Sequence, residues 1–173
     1  MDIDQRLRRV EMLLLDVDGV LTAGEIIYGD SGEQIKVFNV RDGLGIRMLR
    51  EAGLQVGIIT GRSGQAIKHR CENLGLTTVF EGIRDKAKVM KQISTKTGIA
   101  PEAMGYIGDD LPDLSIMKSV GLAVAVADAH EMVRQSAHLV TCASGGRGAV
   151  REVSEAILKA QNKWQDLVDR LFR

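Results

Sequence analysis

Three features are scarce or missing in this sequence, and each absence excludes a class of protein. The only cysteines, Cys71 and Cys142, fit no CxxC or zinc-binding spacing, so we expect reduced thiols and no sulfur ligand for a metal. The 23 basic and 23 acidic residues cancel, so no global field attracts nucleic acid or an anionic membrane. No apolar run approaches the ~20 residues that span a bilayer, and residues 1–6 are mostly polar or charged, which predicts a cytoplasmic protein.

The 173 residues, 45% of them hydrophobic, suffice for one well-filled domain, so we expect a single domain over 1–173. Short apolar runs alternate with helical patterns, which is typical of βαβ units. This alternation predicts an α/β fold, a Rossmann-like three-layer sandwich with a central, mostly parallel sheet. The strands are predicted at 12–16, 55–60, 77–80, 104–107, 121–126 and 138–141. The helices are predicted at 43–52, 63–73, 86–97, 112–119 and 129–135, with a final one from 149 towards 172.

Residues 23–40 interrupt this alternation with the pattern of a β-hairpin inserted after the first strand. Its apolar residues are in near alternation with polar ones, which predicts one apolar face made of Ile26, Tyr28, Ile35 and Val37. A short two-stranded ribbon cannot bury such a face alone. We therefore expect the hairpin to pack against equivalent hairpins of neighbouring subunits. The alternative is that the hairpin folds down on its own domain.

Asp16 and Asp18 follow the apolar run at residues 13–15 and precede Gly19. A buried parallel strand that ends in this way delivers its charges to the carboxyl edge of a sheet, where open α/β folds bind ligands. Two carboxylates held close together repel unless a cation or a proton lies between them, and an all-oxygen site suits Mg²⁺. The pair therefore suggests phosphoryl chemistry. The alternative is a strand that simply stops at an Asp-Gly turn.

Two further polar groups follow later predicted strands. Thr60, Gly61 and Arg62 bring a hydroxyl, a flexible backbone and a guanidinium to the same edge, where a phosphate could bind. The alternative is a plain strand-to-helix turn in which Ser63 caps the next helix. Lys86 begins a predicted helix against the helix dipole, which suggests a functional role, whereas a solvated surface lysine is the alternative.

A carboxylate cluster follows the strand at 104–107. Asp109 is positioned to complete a Mg²⁺ shell begun by Asp16, which leaves Asp110 and Asp113 to orient neighbours or to pair with Lys86. Helix capping by acidic residues is the alternative for this cluster alone. Several strands that all end in groups compatible with phosphate or Mg²⁺ are harder to explain as independent turns. Near the end of the chain, residues 145–148 form either a flexible loop or a segment that closes a site.

These four groups, in this order, resemble the motifs of the haloacid dehalogenase superfamily of phosphatases, with the match running from about residue 13 to 140. The resemblance implies that Asp16 is the nucleophile and that Asp18 is the acid and base. It implies that Thr60 and Lys86 hold the transferring phosphoryl group. It also implies that Mg²⁺ is bound by Asp16, by the backbone carbonyl of Asp18 and by Asp109.

A narrower resemblance covers nearly the whole chain. The short length, the hairpin in place of a cap domain and the segments 38–45, 60–63 and 145–152 are similar to the capless, tetrameric family that hydrolyses 3-deoxy-D-manno-octulosonate 8-phosphate. It implies a homotetramer and substrate contacts at Asp18, Asn39, Val40, Arg41, Asp42, Gly43, Arg47, Arg62, Arg70 and Lys86. By themselves, Arg47 and Arg70 look like ordinary exposed helix residues. Four arginines, Arg41, Arg47, Arg62 and Arg70, have the guanidinium chemistry to pair with a substrate carboxylate.

The function implied is Mg²⁺-dependent hydrolysis of that acidic sugar phosphate through an aspartyl-phosphate, in lipopolysaccharide precursor synthesis. Two alternatives stay open: a phosphatase for a related nine-carbon deoxy-ulosonate phosphate, and a non-catalytic oligomerisation module of the same fold. A phosphomutase is a third alternative, but it needs a lid against water, and no segment is long enough to form a cap domain.

Overall fold

The computed structural model describes residues 1–32 and 34–172, so Glu33 of the predicted hairpin and the terminal Arg173 lie outside the described residues. The strands are β1 (Met12–Leu15), β2 (Ile27–Tyr28), β3 (Gln34–Ile35), β4 (Gln55–Ile59), β5 (Thr78–Phe80), β6 (Met104–Gly108), β7 (Leu122–Ala125) and β8 (Leu139–Val140). The helices are α1 (Ile3–Arg9), α2 (Val40–Glu51), α3 (Gln65–Leu74), α4 (Lys86–Thr97), α5 (Leu114–Met117), α6 (Glu131–Ser136), α7 (Ala149–Ala160) and α8 (Trp164–Phe172), with 3₁₀ turns at Pro101–Ala103 and Leu111–Asp113.

Six strands form one parallel sheet in the order β5-β4-β1-β6-β7-β8, which confirms the predicted α/β class. Leu15, the last residue of β1, lies beside Ile58 of β4 on one side and Ile107 of β6 on the other. All four residues of β1 are buried, as expected for a central strand covered on both faces. The carboxyl ends of β1, β4 and β6 therefore meet at one edge of the sheet.

The hairpin is shorter than predicted, because β2 and β3 pair over only two residues each. Ile27 lies opposite Ile35, whereas Tyr28 lies opposite Gln34. Directly paired residues share a face, so the predicted grouping of Tyr28 with Ile35 is wrong. Apolar side chains of both faces are exposed in this chain.

The predicted final helix is in fact two helices, α7 and α8, separated by a break at Asn162. Asn162 has a left-handed backbone (φ 57°), its N–H donates to the carbonyl of Lys159, and the N–H of Lys163 donates to the carbonyl of Leu158. This is the Schellman pattern that ends a helix. The break folds α8 back so that Leu167 is buried in the core. Among the described helices, none has the length and apolar character needed to span a bilayer.

Candidate active site

The polar groups predicted at the strand ends line one cavity of about 560 Å³ at the carboxyl edge of the sheet. Its lining includes Asp16, Asp18, Thr60, Arg62, Lys86 and Asp109, together with Asp113. A larger cavity of about 660 Å³ lies at the amino ends of β1, β4 and β6. Ligands of open parallel sheets bind at the carboxyl ends, so the smaller cavity is the candidate site.

Lys86 is the central cation of this cavity and is almost completely buried at the first residue of α4. Its Nζ lies 3.0 Å from Oδ1 of Asp16, 2.6 Å from Oδ1 of Asp113 and 2.9 Å from the hydroxyl of Tyr106. Burial by itself lowers the pKa of Lys86, but the two carboxylates outweigh burial and raise it above its usual value. The lysine is therefore a fixed positive charge beside Asp16, and the alternative of a solvated surface lysine is wrong.

Asp113 and Asp110, whose roles the sequence leaves open, turn out to differ. The hydroxyl of Tyr106 donates to Oδ1 of Asp113 (2.6 Å), the same oxygen that accepts from Lys86. Oδ2 of Asp113 accepts hydrogen bonds from the backbone N–H groups of Asp109 (2.9 Å) and Asp110 (3.3 Å). Asp113 thus holds both Lys86 and the turn that carries Asp109. The exposed Asp110 accepts the N–H of Leu111 (2.8 Å) and caps the 3₁₀ turn.

Three carboxylates in the cavity offer oxygens within 4.8 Å of one another, on Asp16, Asp109 and Asp113. Burial, followed by the neighbouring carboxylates, raises the pKa of Asp109 to about 8. Burial, partly offset by Lys86, raises the pKa of Asp16 to about 6. Oδ1 of Asp109 is buried and has no hydrogen-bond partner among the described residues.

These observations fit a hard divalent cation, which would relieve the repulsion and take up the unpaired oxygen. Both oxygens of Asp113 already accept hydrogen bonds, so Asp16 and Asp109 are the carboxylates with capacity for a metal. The predicted contact from the backbone carbonyl of Asp18 stays a prediction.

Thr60 and Asp18 complete the cavity around Asp16. The Thr60 hydroxyl is buried and accepts the N–H of Arg62 at 3.3 Å, which leaves its proton for another acceptor. The helix after it begins at Gln65 with Gly64 at the cap position, so the alternative of a cap by Ser63 is wrong. Oδ2 of Asp18 lies 3.9 Å from Nε of Arg62.

One residue beside Asp18 was missed by the sequence reasoning. Lys36, from the end of the hairpin, donates a hydrogen bond to Oδ1 of Asp18. In the sequence it is only a polar residue between Ile35 and Val37. The alternation there indicates that Lys36 points away from its neighbours, but nothing local indicates what it meets.

The other predicted substrate residues are not among the described residues that line the cavity. They lie on α2, directly before it, or, for Arg70, on α3: Asn39, Val40, Arg41, Asp42, Gly43, Arg47 and Arg70. Val40, Arg41 and Arg47 are exposed at the surface. Their contact with a substrate stays a prediction.

Three members of this group have structural contacts instead. The carboxylate of Asp42 is fully buried and accepts the N–H groups of Gly148 (3.2 Å) and Arg151 (2.9 Å), so it caps α7 and is not free for a ligand. Burial raises its pKa. Arg70 donates to the carbonyl of Asn39 (3.1 Å) and stacks over the ring of Phe38, 5.3 Å from its centroid.

Residues 145–148 lie next to the loop that follows β1 and do not line the cavity. The N–H of Gly145 donates to Asp128 (2.9 Å) and that of Gly146 to the carbonyl of Val20 (2.8 Å). A Cβ on Gly145 would collide with the carbonyl of Gly19, so the close approach requires glycine there. The segment therefore supports the loop that carries Asp18.

Comparisons with known proteins agree with this geometry. A family model described as haloacid dehalogenase-like hydrolase matches residues 79–151. The 3-deoxy-D-manno-octulosonate 8-phosphate phosphatase of Escherichia coli is 46% identical over 162 residues, which cover 94% of this chain and 86% of that protein. The crystal structure of the phosphatase of that name from Yersinia pestis has a TM-score of 0.92 and 47% identity, and the match covers 94% of this chain and 88% of that one.

A third relative was crystallised with ligands. The 3-deoxy-D-manno-octulosonate 8-phosphate phosphatase from Moraxella catarrhalis, in complex with magnesium ion, phosphate ion and a KDO molecule, has a TM-score of 0.95 and 39% identity. The match covers 97% of both chains.

Proposed function

The chain belongs to the 3-deoxy-D-manno-octulosonate 8-phosphate phosphatases, within the haloacid dehalogenase-like hydrolases, and we propose that it hydrolyses this acidic sugar phosphate to the sugar acid and phosphate with Mg²⁺ as cofactor. One observation carries the proposal. Oδ1 of Asp16 lies 3.0 Å from Nζ of the buried Lys86, in the same cavity as Asp109, whose Oδ1 has no hydrogen-bond partner among the described residues. This arrangement holds a nucleophile, a fixed cation and a metal ligand in one place. The corresponding role is a step in lipopolysaccharide precursor synthesis in the cytoplasm.

Asp16 is the nucleophile of the proposed reaction. Its carboxylate oxygen attacks phosphorus, the bond from phosphorus to the sugar oxygen breaks, and Asp18 gives that oxygen a proton. A water molecule then attacks the aspartyl-phosphate, Asp18 takes its proton, and phosphate leaves. Lys86 and the Thr60 hydroxyl hold the phosphoryl oxygens throughout. Mg²⁺ bound by Asp16 and Asp109 would offset the negative charge on those oxygens.

Arg62 is the candidate for substrate selection, because its guanidinium is half exposed at the mouth of the same cavity. A guanidinium suits a carboxylate, so Arg62 favours a sugar acid over a neutral sugar. A nine-carbon deoxy-ulosonate phosphate offers the same two anionic groups and remains the second candidate substrate. The non-catalytic module is disfavoured because such a module has no need for the whole set of Asp16, Lys86 and Asp109.

The proposed assembly is a homotetramer of one-domain subunits. A single core joins residues from Leu7 to Leu167, which supports one domain. The hairpin leaves Ile27, Tyr28, Ile35 and Val37 exposed, and packing against neighbouring hairpins would bury them.

The test is phosphate release from purified protein with a panel of substrates, with and without Mg²⁺. We expect turnover of 3-deoxy-D-manno-octulosonate 8-phosphate well above that of neutral hexose phosphates, and loss of turnover in EDTA. The variant Asp16→Asn should fold and assemble normally but lose activity. A folded Asp16→Asn protein that kept more than a few per cent of the activity would contradict the aspartyl-phosphate mechanism. Faster turnover of the nine-carbon substrate would assign the second candidate instead.

A further inference from the structure

The side chain of Lys36 is almost fully buried, although the residues on either side of it are exposed. Only 3% of its side chain is accessible to solvent. Its neighbours Ile35 and Val37 are 47% and 67% exposed. Lysine is almost never buried without a partner, and the partner here is Oδ1 of Asp18. The hairpin thus sends one charged group inward, to the residue proposed as acid and base.

Asp18 depends on this contact for its orientation. It lies in the loop beyond the end of β1, so no strand pairing fixes it. Within the described residues, Oδ1 of Asp18 accepts a hydrogen bond from Lys36, and Oδ2 of Asp18 has no hydrogen-bond partner. Arg62 is 3.9 Å from Oδ2 and its side chain is 47% exposed, so it restrains the carboxylate weakly.

The backbone that presents Lys36 is tied to the same loop as Asp18. The side chain of Asn39 donates to the carbonyl of Gly146 (3.2 Å), and the N–H of Gly146 donates to the carbonyl of Val20 (2.8 Å). Phe38 packs under the guanidinium of Arg70. These hydrogen bonds join the backbone segments that carry Lys36 and Asp18, so the contact between the two side chains is supported by the backbone.

We propose that Lys36 is a positioning residue for Asp18, holding Oδ1 so that Oδ2 faces the leaving oxygen of the substrate. This inference rests on the proposed phosphatase function. With Oδ1 fixed, the unpaired Oδ2 is the oxygen that carries the proton to the sugar oxygen and later accepts one from water. Lys36 itself transfers no proton and touches no reacting atom. A competing role for Lys36 is direct pairing with the substrate carboxylate.

The experiment compares Lys36→Met with wild type on three substrates. The first is 3-deoxy-D-manno-octulosonate 8-phosphate, the second is glucose 6-phosphate, and the third is p-nitrophenyl phosphate, whose leaving group departs without a proton. The measured parameter is kcat/KM, which depends only on the steps up to and including the first irreversible one, the departure of the leaving group. Lys118→Met is the matched control because Lys118 is an exposed lysine outside the cavity.

A displaced acid loses part of the factor of about 10²–10⁴ that acid/base assistance supplies. We therefore expect Lys36→Met to lower kcat/KM about 10- to 100-fold on both sugar phosphates and less than about 3-fold on p-nitrophenyl phosphate. Lys36→Arg, which keeps a cationic donor, should recover a part of the loss. Lys118→Met should behave as wild type on all three substrates.

Other outcomes would overturn the inference. A loss confined to the acidic sugar phosphate would assign Lys36 to the substrate carboxylate. An equal loss on all three substrates, in Lys36→Met and Lys36→Arg alike, would indicate a general structural role. If the wild-type protein is active and neither Lys36 variant differs from it in kcat/KM, the positioning role is refuted and the proposed function is not. A wild-type protein inactive on all three substrates would refute the proposed function and this inference with it.

Discussion

Replacing Asp109 by asparagine should stabilise the metal-free protein at neutral pH, although it removes a proposed metal ligand. Burial and the nearby carboxylates of Asp16 and Asp113 raise the pKa of Asp109 from 3.8 to about 8. A carboxyl group whose pKa is higher in the folded state binds its proton more tightly there, so stability falls as the pH rises from about 4 to 8. The amide of the Asp109→Asn variant carries no charge at any of these pH values, so the variant has no such penalty.

The size of this stability penalty depends on the pH range that is compared. Between pH 5 and pH 8 the penalty grows by about 1.4 kcal/mol for each of about three pH units, or by about 4 kcal/mol in all. Because Asp109 as a whole is only half-buried, water screens part of this cost, and we expect about 2 kcal/mol. The advantage of Asp109→Asn over wild type in EDTA should therefore increase by about 2 kcal/mol from pH 5 to pH 8.

The assay is urea unfolding followed by circular dichroism, at one protein concentration, in EDTA and then in excess Mg²⁺. Mg²⁺ should stabilise wild type more than Asp109→Asn, because the variant has lost a charged oxygen ligand. Asp110→Asn is the matched control, since Asp110 is exposed and asparagine preserves its capping role. A gain for Asp109→Asn that did not change with pH, or an equal gain for Asp110→Asn, would refute the reasoning.

Two further predictions concern the substrate and the assembly. Arg62→Ala should lower the ratio of kcat/KM for the acidic sugar phosphate to that for a neutral hexose phosphate, and an unchanged ratio would remove Arg62 from carboxylate recognition. Ile27→Asp or Val37→Asp should dissociate the tetramer, because a charge would enter the apolar hairpin contact; light scattering at micromolar concentration would show this, and a monomer mass for the wild-type protein would refute the assembly.

The central strands of the sheet were predictable because they are buried on both faces. Residues 13–15 form an uninterrupted apolar run, and the Asp-Val-Asp-Gly that follows marks the strand end by local chemistry alone. Predicted strand ends lie within one residue of the observed ones for β4 and β6. Helix ends were harder to predict. The break before α8 depends on Asn162 adopting a left-handed backbone, which asparagine tolerates but does not require.

The substrate shell was the least predictable part of the site. Asp42 stands among predicted substrate residues, yet its partners are amides of α7 more than one hundred positions away. Such a cap joins α2 to α7 through tertiary packing, and neither helix alone carries a signal for it. Lys36 is similar, because its partner Asp18 is 18 residues earlier and on another element. No local pattern at either residue indicates which group its side chain contacts.

The sequence predicts a Mg²⁺ site, and the fold adds how the charges around it are distributed in space. In the sequence, Asp16, Lys86, Asp109 and Asp113 are separate residues in a neutral chain. In the fold, three carboxylates cluster around one buried lysine, and Asp113 already uses both of its oxygens. The remaining excess of negative charge must be met by protons or by a cation. The raised pKa of Asp109 corresponds to protonation. Because Oδ1 of that carboxylate is buried and has no hydrogen-bond partner among the described residues, bound Mg²⁺ would supply the cation at neutral pH.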